Sequence, residues 1–326
     1  MANSTTEALL TIKLCPNEDL ICAGRFIEAA NIGVNVISVV VNIFHMMVLS
    51  RLRWLQRQTY FFILVHISIA DIASAFAMMV RSSCVINHIA LSFSPLAGAA
   101  VSACVDTAGI MKWYVLSVAC VERYLAVCHA LRYNSFFLVN HIQKVLAFLW
   151  IPACIMMMGR DLMFRDSICI NSIIGINNFT SAWPGIISAV NLLVPSIVSI
   201  VTLTKTWQEL RKMKLGIDTI DQRTKRSAIY LMIISAVFYI CLLPASVYIL
   251  MMSFGFTKVK VLLVPFCILY SLYGVLNTLI YGWNIKSYRK AVSNLFLGKS
   301  ATTSSPVSDS RGHAVAPTNF KPSESP

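Results

Sequence analysis

The chain has 326 residues, 57% hydrophobic and only 13% charged, with a mean hydropathy of +0.70. A soluble domain usually carries roughly 25% charged residues, so this composition excludes one and points to a protein immersed in lipid. The formal charge of +13 would suggest nucleic acid in a soluble protein, but here the basic residues gather at the ends of apolar runs and no nucleic-acid partner is expected.

A bilayer core about 30 Å thick takes roughly 20 apolar residues per helical crossing. Seven such runs are predicted, at 26–50, 59–82, 97–122, 143–160, 184–205, 227–253 and 260–283. A transmembrane β-barrel would instead show alternating segments of roughly ten residues, which are absent. The expected fold class is therefore all-α, an integral membrane bundle of seven transmembrane helices with a short amphipathic eighth helix.

Residues 1–25 read as a polar extracellular tail, with Glu7, Glu18, Asp19 and a glycosylation sequon at Asn3. They hold no apolar core followed by a small-residue cleavage site, so no cleaved signal peptide is expected. Asn42 lies in the first run, and Arg51, Arg53 and Arg57 follow it. The second run carries Asp71 about 18 Å from its start, at 1.5 Å per residue, and Arg81 about 15 Å further on. The third ends on Glu122, Arg123 and Tyr124, with Lys112 about 16 Å and Asp106 about 25 Å before Arg123. Asp71 and Lys112 are thus level near mid-membrane. An unpaired charge of either sign costs more there than the pair, so an ion pair between them is expected; the alternative is a Lys112 that snorkels or meets water. Arg81 and Asp106 fall in the outer half, either paired with each other or reaching a polar group on a ligand.

Pro152, Pro195 and Pro244 lie inside the fourth, fifth and sixth runs, where a proline bends a helix and leaves a carbonyl unbonded. Such bends predict hinges and an outer cavity, with Arg81, Asp106, Asn191 and Tyr270 as ligand-binding candidates. Asn42, Asn191 and Asn277 supply amides for bonds between helices. A second sequon, Asn178, precedes the fifth run. Basic residues cluster at 51–57, 123–144, 211–226 and 286–290, which by the positive-inside rule are cytoplasmic. The N-terminus is then outside, in agreement with both sequons. After the seventh run, 284–297 is basic and amphipathic, suited to lying on the inner membrane surface. Residues 298–326 are rich in Ser, Thr and Pro and too polar to fold. Their hydroxyls, Thr302 to Ser310 among them, are candidate phosphorylation sites.

In order and position these marks resemble the rhodopsin-like (class A) G-protein-coupled receptors over residues 26–297. Those marks are Asn42 in "VVVNIF", Asp71 in "HISIAD", Glu122-Arg123-Tyr124, Trp150 in "AFLW", Pro195, Pro244 in "FYICLLP", and Asn277 and Tyr281 in "NTLIY". The resemblance implies a receptor at the plasma membrane, not an enzyme, with no cofactor or metal. Its implied partners are an extracellular ligand, a heterotrimeric G protein, arrestin and membrane lipid. It implies a switch in which Glu122 holds Arg123 at rest, with Asn42, Asp71, Lys112, Tyr124, Pro195, Phe238, Pro244, Asn277 and Tyr281 as further switch residues.

Four departures qualify the match. Thr278 replaces the seventh-run proline, and Leu242 stands where many members carry a tryptophan. Lys112 stands where a small polar residue commonly helps to hold sodium, so sodium insensitivity is expected. Gly98 stands where most members have the cysteine that bonds the second outer loop. Cys169 in that loop is then left with Cys84 or Cys104, of which Cys84 is the easier partner on depth. Val105 at the position of the aminergic acid disfavours a monoamine receptor, and "VCHALRYNSF" resembles odorant-like or orphan members. The other readings are a receptor-shaped scaffold that has lost switching, and a transporter, for which the inverted repeats are missing.

Overall fold

The computed structural model describes residues 18–52, 59–86, 95–163, 169–170, 177–178, 183–213, 222–253, 263–284 and 286–297. In hydrocarbon every backbone N–H and C=O needs a partner within the protein, and the seven apolar runs meet that need as helices. They are α1 (Glu18–Arg51), α2 (Thr59–Ile86), α3 (Pro95–Cys128), α4 (Ile142–Met163), α5 (Trp183–Met213), α6 (Gln222–Ser253) and α7 (Leu263–Asn284). By length and composition α1 to α5 can each cross a membrane, and α6 and α7 contain shorter apolar stretches, Ala228–Pro244 and Ile268–Ile280.

Several helices extend beyond the apolar runs. α3 continues to Cys128, so Glu122 and Arg123 sit inside the helix rather than at its frayed end. A 3-10 segment, Ala130–Ser135, and a single helical turn, Phe137–Asn140, then lead into α4. Between α4 and α5, β1 (Cys169–Ile170) and β2 (Asn177–Asn178) form a two-residue antiparallel ladder that sets Cys169 opposite Asn178. Beyond α7, α8 (Lys286–Phe296) packs on α7 and α1, pinned by a 2.8 Å hydrogen bond between the buried Tyr288 hydroxyl and His45 Nδ1.

α3 is the central helix and touches α2, α4, α5 and α6, while α1 packs on α2 and α7, and α6 on α5 and α7. The main core cluster surrounds the middle of α3 and includes Met111, Trp113, Leu116, Phe238, Leu242 and Tyr273. Ile151, Ile155, Val190, Val194, Ile197 and Val201 of α4 and α5 point away from the bundle and are exposed, as a lipid-facing surface requires. Pro152, Pro195 and Pro244 lie within α4, α5 and α6.

Two glycines permit close helix approach. A Cβ at Gly274 would lie 2.5 Å from Ser38 Oγ and 3.4 Å from the Asp71 carboxyl carbon, and one at Gly109 would lie 2.9 Å from the Tyr270 hydroxyl. Asn3, the tail 298–326 and the side chains of Cys84, Cys169, Asn178 and Tyr281 lie outside the described residues. Cys104 is a free thiol on the exposed side of α3.

Candidate functional site

Halfway along the bundle, Lys112 of α3 sets its ammonium 2.9 Å from Asp71 Oδ1 of α2, with side chains 5% and 0% exposed. The approach is an ionic contact rather than a well-aligned hydrogen bond, and Asp71 Oδ2 has no hydrogen-bond partner among the described residues. Tyr270 completes the ammonium's surroundings, its ring centroid 4.8 Å from Nζ and its hydroxyl 3.4 Å from Ser74. The cation therefore meets a carboxylate and the negative face of an aromatic ring, the two partners that best offset its lost hydration. Asn42 closes the cluster on the α1 side by donating to the Gly274 carbonyl of α7 at 3.2 Å and to the Ser38 carbonyl at 2.9 Å. The Thr278 hydroxyl reaches Asn42 Oδ1 at 3.4 Å, so the residue that replaces the expected proline ties α7 to α1.

Nearer the end of the bundle away from Arg123, the first of the two readings of Arg81 and Asp106, a pair between them, is corrected. Asp106 is bound by Arg160 of α4, whose guanidinium also binds Asp161 and donates to Ser188 of α5 at 2.8 Å. Height along the helices suggested Arg81, but the side of α3 that bears Asp106 meets α4 and α5, whereas Arg81 is half-buried on α2. Asn191, a second ligand candidate, accepts from Tyr114 of α3 at 2.5 Å and donates to the Ile187 carbonyl at 2.8 Å, so its amide joins α3 to α5.

Toward the other end of α3, Glu122 is fully buried and Arg123 lies against it, with Nη2 donating to Oε1 at 2.6 Å and Nε to Oε2. The Tyr133 hydroxyl, from the 3-10 segment after α3, donates to Glu122 Oε1 at 2.5 Å. Burial, then the negative charge and hydrogen bond of Glu122, pushes the Tyr133 phenol up to about 12. It remains a donor throughout the physiological range. Tyr124 turns the other way and packs edge-on against His129.

An aromatic cluster lies between the two charged centres. Phe238 of α6 is edge-on to Trp113 of α3, with ring centroids 4.5 Å apart, and to Tyr273 of α7 at 5.2 Å. Leu242 is fully buried beside them. Trp113 thus brings an indole from α3 to the level where α6 lacks one. Asn277, one turn beyond Tyr273, is buried, and its Oδ1 has no hydrogen-bond partner among the described residues.

The model of the family described as 7 transmembrane receptor (rhodopsin family) matches residues 41–281, most of the chain. The chain belongs to that family. No curated protein matches it. Rhodopsin-family members are receptors rather than enzymes, which makes this a multi-pass membrane protein of the receptor class. Family membership implies an extracellular ligand and a G protein as partners. Sequence reasoning missed four residues of this receptor's polar and aromatic centres: Arg160, Asp161, Trp113 and Tyr133. An adjacent arginine and aspartate closing the fourth apolar run was a readable signal, because ionisable groups in a span are functional candidates by default. Trp113 and Tyr133 gave none, since a tryptophan in a span and a tyrosine in a loop are ordinary.

Proposed function

We propose that the chain is a ligand-activated receptor that promotes nucleotide exchange on a heterotrimeric G protein, with its N-terminus outside the plasma membrane and its C-terminus in the cytoplasm. The observation that carries the reading is the closed arrangement at Arg123, with the guanidinium folded onto buried Glu122 and Glu122 held by Tyr133. A charged pair that close to a helix end has a second arrangement available, in which the arginine meets an incoming partner, and a difference of a few kcal/mol between the two is within a ligand's reach. Leu131, fully exposed in the 3-10 segment beside this pair, offers the apolar contact that such a partner would cover.

The outer half supports a ligand site through the polar groups of α3, α4 and α5, with Asn3 and Asn178 as glycan sites in the outer segments. The ligand class we favour is chemosensory or orphan rather than monoamine, because Val105 is buried against Ala77 and Met78 and offers no acid. Arrestin recruitment to the phosphorylated tail and α8 resting on inner-leaflet lipid complete the reading.

The test is G-protein activation in cells at matched surface expression. Glu122→Gln weakens the hold on Arg123 and is expected to raise basal signalling several-fold. Basal signalling no different from wild type across the main G-protein classes would contradict the latch.

A further inference from the structure

Glu122 and Arg123 close their latch within one helix, since both belong to α3. α6 carries no acidic residue from Gln222 to Ser253, so no ion pair can tie the Arg123 guanidinium to it. Yet α6 has Pro244 in its interior, and the half from Gln222 to Pro244 can swing about that proline. The groups that hold this half against α3 and α5 therefore lie elsewhere. Leu231, Ile234 and Phe238 bury apolar surface there, but Ser235 is polar, 1% exposed, and its hydroxyl lies 3.8 Å from the Cys120 thiol of α3. One turn nearer Pro244, the Tyr239 hydroxyl donates to the Ser196 carbonyl of α5 at 3.3 Å, while its ring stands edge-on to Trp113 of α3. Ser199 of α5, itself buried, is within hydrogen-bond reach of both the Cys120 thiol and the Tyr239 hydroxyl. Four polar side chains from three helices thus meet at one level.

We infer that Ser235 and Tyr239, with Cys120 and Ser199, form a clasp that holds α6 in the resting position, and that these two α6 side chains are positioning residues that set basal activity. This rests on the receptor reading above and names a regulation of its G-protein end. An apolar contact slides with little loss, whereas a hydrogen bond is directional and fails when stretched by roughly 1 Å. At 1.5 Å per residue, Ser235 lies about 14 Å and Gln222 about 33 Å from Pro244. A swing of roughly 2–3 Å at Gln222 then stretches the Ser235 contact by about 1 Å. The clasp opens early, before most of the apolar packing of α6 is disturbed. Buried hydroxyls left without partners are disfavoured, which gives the closed position its advantage.

The test uses the intact chain in lipid nanodiscs without a G protein, with spin labels carried on unnatural amino acids at two exposed positions, Ile229 of α6 and Gln143 of α4. Ligand-free wild type should give one dominant label separation. Ser235→Ala combined with Tyr239→Phe removes two hydroxyls and little volume. It should enlarge the population with α6 displaced by roughly three- to tenfold, with basal nucleotide exchange on added G protein rising in parallel. Ser235→Thr keeps a hydroxyl and should retain the wild-type separation. Leu146→Ala, a buried change on α4 outside the clasp, should lower thermal stability without moving α6. An unchanged separation in the folded double variant, or the same displacement in L146A, would overturn the inference. Should the double variant fail to fold, Tyr239→Phe alone, which removes one oxygen from a half-buried ring, decides by the same measurement. Because the separation is read without a G protein, displacement with no change in exchange would count against the receptor reading alone.

Discussion

Lys112 shows how one side chain sets the character of the bundle's middle. Removing its ammonium while Asp71 remains leaves a carboxylate buried without its counter-charge, which costs about 3–5 kcal/mol. Lys112→Met should therefore lower the thermal unfolding temperature sharply, and Lys112→Met with Asp71→Asn should recover most of the loss; additive losses would mean that the 2.9 Å contact carries no coupling. Tyr133 makes a pH-dependent prediction. Its phenol is raised from 10.0 to about 12, so its contribution to the folded state is fully present below pH 10 and is lost as pH rises through 12. Tyrosinate absorbance during alkaline titration should include a phenol that ionises near pH 12, and Tyr133→Phe should remove that step. The Asp71–Lys112 pairing was legible in the sequence because a fixed rise per residue sets height along an axis. The partner of Asp106 was not, because height says nothing about which side of α3 a residue occupies, and that side is set by packing against α4 and α5.

At the scale of helices, the seven spans and α8 were legible because lipid forces the apolar pattern and the backbone to agree. Contacts between helices depend on shape, which composition does not reveal. Gly274 marks a close α1–α7 approach, and Gly274→Ala would push a methyl to 2.5 Å from Ser38 Oγ and against Asp71 and Asn42. We expect a loss of about 1–3 kcal/mol from this overpacking, measured by thermal unfolding, and Ser38→Ala in the same chain should return part of it. Trp113 joins α3 to α6 through Phe238, and Trp113→Ala should cost about 3–5 kcal/mol. Its loss should also alter signalling more than the equally buried Leu146→Ala, which lies on α4 outside the ring contacts. Equal effects on signalling at equal surface level would reduce Trp113 to packing.

Across the whole molecule, the fixed ammonium of Lys112 stands where a mobile cation would otherwise meet Asp71, and both cannot occupy the space. Ligand affinity should therefore be unchanged when sodium replaces a large organic cation at constant ionic strength, and a clear sodium effect would contradict this account of the middle of the bundle. The three centres follow one another along α3: the Asp106–Arg160–Asp161 cluster, then Lys112 with Asp71 and the Trp113 ring contacts, then Glu122 with Arg123 and Tyr133. A central helix that touches α2, α4, α5 and α6 is placed to carry a shift from one end to the other. The measurement that tests this most directly is nucleotide exchange on purified heterotrimeric G proteins, with the intact chain in nanodiscs compared with Arg123→Ala at equal folded amount. The account predicts exchange above the receptor-free rate with wild type, raised further by an activating ligand and abolished in R123A. Exchange that is the same for both proteins and for empty nanodiscs, across the main G-protein classes, would contradict it and favour a receptor-shaped scaffold.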